Sequence, residues 1–363
     1  MTDCDYMKRA IELAGRGRGW TNPNPMVGAV IVKDGRIIGE GYHRRYGELH
    51  AERNAIASLK ESAEGATMYV TLEPCCHYGK TPPCTEAILE QKIAKVIIGS
   101  RDPNPKVAGK GARILRDAGV IVEEDFMRDE CDSLNPIFFH YIMNRTPYVI
   151  MKYAMTADGK IATKTGASKW ITGEKARLEV QEMRHNCMGI MAGIGTVIAD
   201  DPMLNVRLEG KKSPVRIICD SSLRIPIDSK ICHTAKEYPT IIACAVEDEE
   251  KKEKLERLGI HVVSLSDTNG RVNLKRLMEY LGDKGIDSIL LEGGGILNDS
   301  AMRSGIVQEI RAFIAPKIFG GGKAKSPVSG EGVLAPEDAD LLKLQEVTRI
   351  GEDLLLRYKV IKK

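Results

Sequence analysis

His50-Ala-Glu52 and the segment Pro74-Cys-Cys-His-Tyr-Gly-Lys-Thr-Pro-Pro-Cys84 carry the densest chemistry in the chain. One histidine and two cysteines make three protein ligands, which leaves the fourth position of a tetrahedral zinc free for water. That is the pattern of a catalytic site, because a structural zinc takes four protein ligands. Glu52 follows two residues after His50, a carboxylate the metal does not need, placed to move protons between that water and a bound base. Pro83 reads as a helix N1 proline, or close to it, ahead of the helix former Cys84-Thr-Glu-Ala-Ile-Leu-Glu-Gln91. Cys84 then stands at a helix N-terminus, where the dipole favours the thiolate that zinc requires. His50 likewise opens the helical run Ala51 to Leu59. Cys76 and His77 are chemically able to compete for the metal. Adjacent residues point in different directions, so Cys75 and Cys76 do not ligate together, and Cys75 is assigned because it follows Pro74. Cys4, Cys131, Cys187, Cys219, Cys232 and Cys244 read as small buried hydrophobes.

These residues must be positioned by something, and the chain is long enough for two domains at 363 residues. A sequence with 43% apolar and 28% charged residues is of ordinary globular composition. A formal net charge of +3 offers no strong basic patch for bulk nucleic-acid affinity. The start, Met-Thr-Asp-Cys-Asp-Tyr-Met-Lys-Arg-Ala, has no apolar signal core, and no run reaches membrane-spanning length. Nine unevenly spaced cysteines argue against a disulfide framework and fit a reducing cytoplasm.

In the first half, residues 3–17 predict an amphipathic helix with Met7, Ile11 and Leu13-Ala14 on its buried stripe. Thr21-Asn-Pro-Asn-Pro25 reads as a rigid extended turn. Val27–Val32 and Arg36–Glu40 flank Asp34-Gly35 as a hairpin. Strands at 67–72, 95–99 and 120–123 alternate with the His50 helix, the Cys84 helix and a helix near 111–118. The whole predicts an α/β sandwich around one mixed sheet, its site at the ends of the strands that precede the zinc helices. Residues 125–144, with Phe138-Phe-His-Tyr141, read as a helical connector packed on a domain face, giving domains 1–145 and 146–363.

The second half is again α/β. It predicts strands at 148–154, 189–194, 215–219, 240–245, 261–265, 287–292 and 309–314. Helices are expected at 173–185, 248–258, 273–282 and 296–304, with a terminal hairpin around Gly351. No G-x-G-x-x-G fingerprint follows the first strand. Instead Glu292-Gly-Gly-Gly295 ends one strand and opens a helix, and Gly193-Ile-Gly-Thr196 repeats the arrangement. Bare backbone N–H groups at such a turn can approach a phosphate closely, although a glycine triplet alone also reads as a plain turn.

The H-x-E and later P-C…C pattern resembles the zinc deaminases of nucleobases and nucleotides. Asn22–Gly28, His50–Glu52, Pro74–Cys84 and Asp102–Gly111 together resemble the bifunctional riboflavin biosynthesis deaminase/reductases of the RibD/RibG type. Met155–Lys160, Ser168–Thr172, Gly195–Leu204 and Glu292–Gly295 extend the likeness to the second half. The resemblance implies a cytidine-deaminase-like α/β/α sandwich followed by a dihydrofolate reductase-like α/β domain. It implies zinc on His50, Cys75 and Cys84, with Glu52 as proton carrier. The activity implied is removal of the 2-amino group of 2,5-diamino-6-ribosylamino-4(3H)-pyrimidinone 5′-phosphate, then reduction of the ribosyl chain with NADPH.

By the same resemblance Asn24, His43, His77, Lys80, Asp102 and Asn104 bind the first substrate; on its own, Lys80 reads equally as a solvated loop lysine. Ala154, Trp170, Thr196, Asp200, Ser222 and the turn Gly294, Gly295, Ile296, Leu297, Asn298, Asp299, Ser300 are implied for the coenzyme. Ser168, Arg184, Leu204, Arg207 and Glu292 are implied for the second substrate, the two arginines suiting its phosphate. No residue announces itself as the general acid of the reduction, and the sequence does not choose between Glu292 and a bound water. The resemblance further implies small phosphorylated pyrimidines as the only partners besides further copies of the chain. A nucleic-acid or free-base zinc deaminase with an accessory domain is the alternative, and it would want a basic, aromatic-lined groove. With aromatics at 5%, the sequence does not provide one. A zinc-stabilised scaffold is the third reading, and it has no use for Glu52.

Overall fold

Helix α1 (Asp3–Gly15) begins at a capping box, in which the Thr2 hydroxyl takes the Asp5 N–H and the Asp5 carboxylate takes that of Thr2. The computed structural model describes residues 1–79, 82–104 and 107–361, and the chain divides into two compact units, Met1–Arg145 and Thr146–Lys363.

In the first unit, β1 (Gly28–Lys33) and β2 (Arg36–Tyr42) form the expected hairpin, with Asp34 and Gly35 both at positive φ in the turn. Helix α2 (Ala51–Ala57), β3 (Thr67–Leu72), α3 (Cys84–Glu90), β4 (Lys95–Ser100), α4 (Lys110–Asp117) and β5 (Ile121–Glu123) follow. The sheet order is β2-β1-β3-β4-β5, antiparallel around β1 and parallel from β3 to β5. Ala29 and Ile31 of β1 enter one apolar cluster, while Val30 and Val32 enter the other. Both faces of the sheet are therefore covered, and an almost continuous apolar strand is what that requires. Short helices α5 (Arg128–Asp132) and α6 (Pro136–Asn144) complete the unit. The connector expected at 125–144 belongs here. Phe138 is in the first unit's core with Phe139 and Ile142 packed beside it, and the Asn135 side chain holds both the N–H and the carbonyl of Met26 at 2.8 Å.

The second unit runs β6 (Tyr148–Thr156), α7 (Glu174–Asn186), β7 (Gly189–Gly193), α8 (Ile194–Asp200), β8 (Val215–Cys219), α9 (Lys230–His233) and β9 (Thr240–Cys244). Then come α10 (Glu249–Arg257), β10 (Ile260–Ser264), α11 (Leu274–Asp283), β11 (Ser288–Leu291), α12 (Gly295–Arg303), β12 (Val307–Ala315), β13 (Leu342–Ile350) and β14 (Asp353–Val360). The sheet order is β10-β9-β8-β7-β11-β6-β12-β14-β13, parallel through β12, with β14 and β13 added antiparallel. Ile190 and Ala192 of β7 point into one core cluster and Met191 into another, so this sheet too is buried on both faces. Helix α8 opens at Gly193, as the second glycine turn led one to expect, whereas four-residue α9 lies outside the expectation because it leaves no periodic signature.

Candidate active sites

In the first unit β2, β3 and β4 end on one edge of the sheet, and the candidate ligands follow there. His50 is the N-cap of α2, Cys75 lies three residues beyond β3, and Cys84 is the first residue of α3. Pro83 is the N-cap of α3, one position before the N1 site read from the sequence. His50 Nδ1 lies 3.4 Å from Cys75 Sγ and 3.5 Å from Cys84 Sγ, and all three ligand atoms fall within 4.8 Å of one another. Zinc bonds of about 2.3 Å to sulfur and about 2.0–2.1 Å to nitrogen, at a tetrahedral angle, require N···S edges of about 3.5 Å. The donor set fits zinc. Among the described residues neither Cys76 nor His77 joins this cluster.

Two features set the spacing. Arg53 on α2 donates to the carbonyls of Pro82 at 3.1 Å and Pro83 at 2.9 Å, tying the two ligand-bearing helices together. The Cys84 N–H points at Cys75 Sγ at 3.4 Å. The free first-turn amide thus also serves the other cysteine. The hydrogen bond from the Cys84 thiol, partly opposed by burial and helped by His50, pushes the Cys75 thiol down to about 4. Cys84, which gives that bond and is buried beside Glu52, is pushed up. Burial, reinforced by Cys75, raises the Glu52 carboxyl to about 7, well above an exposed glutamate.

These groups open onto a cavity of about 330 Å³ whose wall includes His50, Glu52 and Cys75. Asn24, His43, His77, Asp102 and Asn104 line it as well, so five of the six substrate positions implied by the resemblance come together. The sixth, Lys80, lies outside the described residues, as do Pro105 and Lys106 of the Asp102–Gly111 motif. His43 Nδ1 faces the Leu49 carbonyl at 3.0 Å, and the Asn24 amide donates to its Nε2 at 3.3 Å. Burial lowers its pKa, so the ring is neutral with the proton on Nδ1. Burial raises Asp102 to about 6. Phe138, Tyr141 and Ile142 of α6 supply an apolar wall.

Glu73 is a residue the sequence reading passed over. Its buried carboxylate accepts the N–H groups of Gly109 at 2.9 Å and Ala112 at 3.2 Å, with that of Asp102 at 3.4 Å, and so holds the loop bearing Asp102 and Asn104. Only its place before Pro74 could have marked it.

The second unit holds a larger cavity, about 800 Å³, at the ends of β6, β11, β7 and β8. Ala154, Ser168, Thr196, Asp200, Ser222, Glu292, Gly294 to Asn298 and Ser300 line it. Trp170, Arg184, Leu204, Arg207 and Asp299 are not on its wall. Trp170 is 58% exposed, with the Arg177 guanidinium 4.7 Å from the centre of its indole. Leu204 is buried in an apolar cluster, Arg207 is exposed, and Asp299 pairs with Arg303 at 3.1 Å.

Arg184 is mostly buried and engaged within the protein. Its Nε and Nη2 grip the Glu292 carboxylate at 2.6 and 3.1 Å, and its Nη1 donates to the Asn205 carbonyl at 2.9 Å. Lys152 lies 3.4 Å from the same carboxylate, with only 14% of its side chain exposed. Burial alone would raise Glu292, but Arg184 and Lys152 outweigh it and hold the carboxyl at about 2. Glu292 is ionised at neutral pH, which removes it from the two proton donors the sequence left open. Lys152, which the sequence reading missed inside the strand run 148–154, is the cationic side chain that the cavity presents beside it.

Fold and sites together define a zinc deaminase joined to a reductase of dihydrofolate reductase-like build. Residues 1–100 match the cytidine and deoxycytidylate deaminase zinc-binding region, and residues 147–356 match the RibD C-terminal domain. Riboflavin biosynthesis protein RibD of Actinobacillus pleuropneumoniae is 58% identical over 361 residues, covering 99% of this chain and 96% of that one. The protein of the same name from Bacillus amyloliquefaciens is 44% identical, covering 97% of this chain and 94% of its own. A solved Acinetobacter baumannii RibD superposes with a TM-score of 0.88 at 37% identity, covering 99% and 98% of the two chains. The diaminohydroxyphosphoribosylaminopyrimidine deaminase/5-amino-6-(5-phosphoribosylamino)uracil reductase of Thermotoga maritima gives a TM-score of 0.88 at 38% identity, covering 98% of each. The chain belongs to the RibD family of bifunctional riboflavin biosynthesis deaminase/reductases.

Proposed function

We propose that residues 1–145 deaminate 2,5-diamino-6-ribosylamino-4(3H)-pyrimidinone 5′-phosphate and that residues 146–363 then reduce its ribosyl chain to ribityl with NADPH. The observation that carries the first half is the convergence of His50, Cys75 and Cys84 beside a buried, proton-accepting Glu52 on the wall of one cavity. Zinc, when bound by those three residues, supplies the Lewis acidity that makes water a nucleophile near neutral pH. Glu52 takes the proton released as water adds to the ring carbon. It passes a proton to the ring nitrogen and later protonates the departing amine, which leaves as ammonia. Asn24, neutral His43, His77, Asp102 and Asn104 hold the pyrimidine and its ribosylamine against that carbon.

NADPH, when bound in the second unit, would supply a hydride for C1′ of the sugar in the open-chain imine form of the ribosylamine. The α12 N-terminus at Gly294-Gly295 offers its free N–H groups to the coenzyme diphosphate. Lys152 is placed to give the compensating proton, while Glu292 fixes its amine and is itself fixed by Arg184. Incubation with the diaminopyrimidine, with and without NADPH, tests both halves by product mass. Exchange of NH₂ for OH without NADPH, and two further hydrogens with it, are the masses expected. An unchanged mass in the first arm sinks the deaminase assignment.

The enzyme works as a homo-oligomer in the cytoplasm. Support for association comes from the edge hairpin β13–β14. Leu342, Leu344 and Val347 face Val360, Tyr358 and Leu356 on one side, with Leu344 52% and Val347 54% exposed. An exposed apolar row on a sheet edge needs a cover. All nine cysteines are free thiols, seven of them outside the metal cluster, as a reducing compartment requires. Among the described residues no helix is long and apolar enough to cross a membrane.

A further inference from the structure

The cavity of the second unit reaches well beyond the residues that would do the reduction. It crosses four neighbouring parallel strands, from Lys152 and Ala154 on β6, past β11 and β7, to Ser221, Ser222 and Arg224 after β8. Three interstrand steps of about 4.8 Å make that roughly 14 Å, the reach of an extended dinucleotide. Glu292, Ser168 and Lys152 occupy the first end, and the glycine turns 193–195 and 293–295 the middle. The far end is made by two loops, Asp220–Arg224 and Asn269–Val272, held side by side where Ser221 Oγ accepts the Val272 N–H at 3.2 Å.

Each loop points one arginine into the lining, Arg224 and Arg271, and both are exposed. Among the described residues neither guanidinium has an ion-pair or hydrogen-bond partner. The acids nearest these loops, Asp220 and Asp267, are not on the cavity wall. Buried Asp220 takes the Ile225 N–H at 2.8 Å, and Asp267 takes those of Asn269 and Arg271, both at 2.8 Å. The acidic residues that line the cavity, Asp200 and Glu292, belong to its other parts.

We propose that Arg224 and Arg271 form a phosphate-monoester site for the adenosine end of the coenzyme, and that they set the preference for NADPH over NADH. The proposal rests on the reductase reading above. Two unpaired guanidiniums at a wall without an opposing carboxylate suit a phosphate dianion, which each can meet with two parallel N–H groups. NADH carries a neutral hydroxyl at that point and leaves both cations with water. The pyrimidine substrate also carries a phosphate, but its reacting carbon must sit beside Lys152 and Glu292, at the opposite end.

Calorimetric titration of the full-length protein with NADPH, with NADH and with ribose 5-phosphate, in the absence of pyrimidine, tests the site. Wild type should bind NADPH more tightly than NADH, and added salt should weaken NADPH more than NADH. Arg224→Ala and Arg271→Ala should each weaken NADPH roughly tenfold, on the scale of one charge-assisted hydrogen bond, and leave NADH unchanged. The unchanged NADH affinity also shows that the loops keep their shape. Equal losses for both coenzymes, or no loss for either, overturn the proposal. So does weaker ribose 5-phosphate binding with an unaltered NADPH/NADH ratio, which would hand the arginines to the substrate. Wild type that binds neither coenzyme brings down the reductase reading itself, and the arginine site with it.

Discussion

Glu52 and the Glu292–Lys152–Arg184 cluster divide the residue-scale chemistry between them, one carboxyl raised by burial and the other held down by cations. Glu52→Gln should keep zinc, since the ligand cluster does not include it, and should lose about 10²–10⁴-fold in ammonia release because an amide cannot carry the proton. Metal analysis of the same sample separates this from Cys84→Ser, which should lose the metal. Lys152→Met should cut NADPH oxidation by a similar factor while coenzyme binding survives; unaltered turnover would take the proton role from it. Glu292 has a pH signature. Its carboxyl sits at about 2 in the folded chain against 4.5 for the free group, so its stabilisation is present above pH 4.5 and is lost as pH falls toward 2. Glu292→Gln leaves Arg184 and Lys152 buried without their partner and should cost about 3–5 kcal/mol at pH 7. The gap in Tm between the variant and wild type should therefore shrink as pH drops through that window. A gap that stays constant would show that the pairing is not what holds the carboxyl ionised.

At the scale of elements, the first site depends on how closely α2 lies on the hairpin. A Cβ added to Gly41 would stand 2.2 Å from the Ala55 nitrogen and 2.5 Å from the Ala51 carbonyl oxygen, both on the helix that begins at His50. Gly41→Ala must push α2 outward, at about 1–3 kcal/mol of overpacking, and carry His50 and Glu52 away from Cys75. Zinc content and deamination should fall together, while NADPH oxidation by the same sample holds. Loss of both activities would mean that the damage is global. Such dependence was not legible in the sequence, where Gly39 read only as a strand residue and Gly41 lay just past the expected strand. What was legible had a period or a turn: the Asp34-Gly35 hairpin, the apolar strands of both sheets, and the helices long enough to show one face. Short α9, the Glu73 clasp and the Arg53 staple had no such signal, since each rests on backbone groups brought near by the fold. Arg184 shows the opposite failure. The resemblance implied a ligand for it, and only the packed structure puts Glu292 within its reach.

For the whole molecule the question is where one unit ends, and α6 answers it. Phe138 is 8% exposed within the first unit's core, Tyr141 and Ile142 line the first cavity, and Asn135 ties the helix to Met26. The domain face that the connector was expected to pack on is therefore the first unit's own. Each cavity is lined by residues of its own unit alone. A chain starting at Thr146 therefore keeps every residue of the second cavity, and should fold and oxidise NADPH with the deaminated substrate in the absence of zinc. A chain starting near residue 125 carries α6 without the surface it covers, and should aggregate through Phe138, Phe139 and Ile142. The complementary cut acts in reverse: residues 1–145 should bind zinc and release ammonia, whereas residues 1–125 lose one wall of the cavity and should do neither. Light scattering and the two activities on the four fragments decide it. If the chain from residue 125 is the soluble, active reductase and the chain from Thr146 precipitates, α6 belongs to the second unit in solution, and the division at Arg145 is wrong.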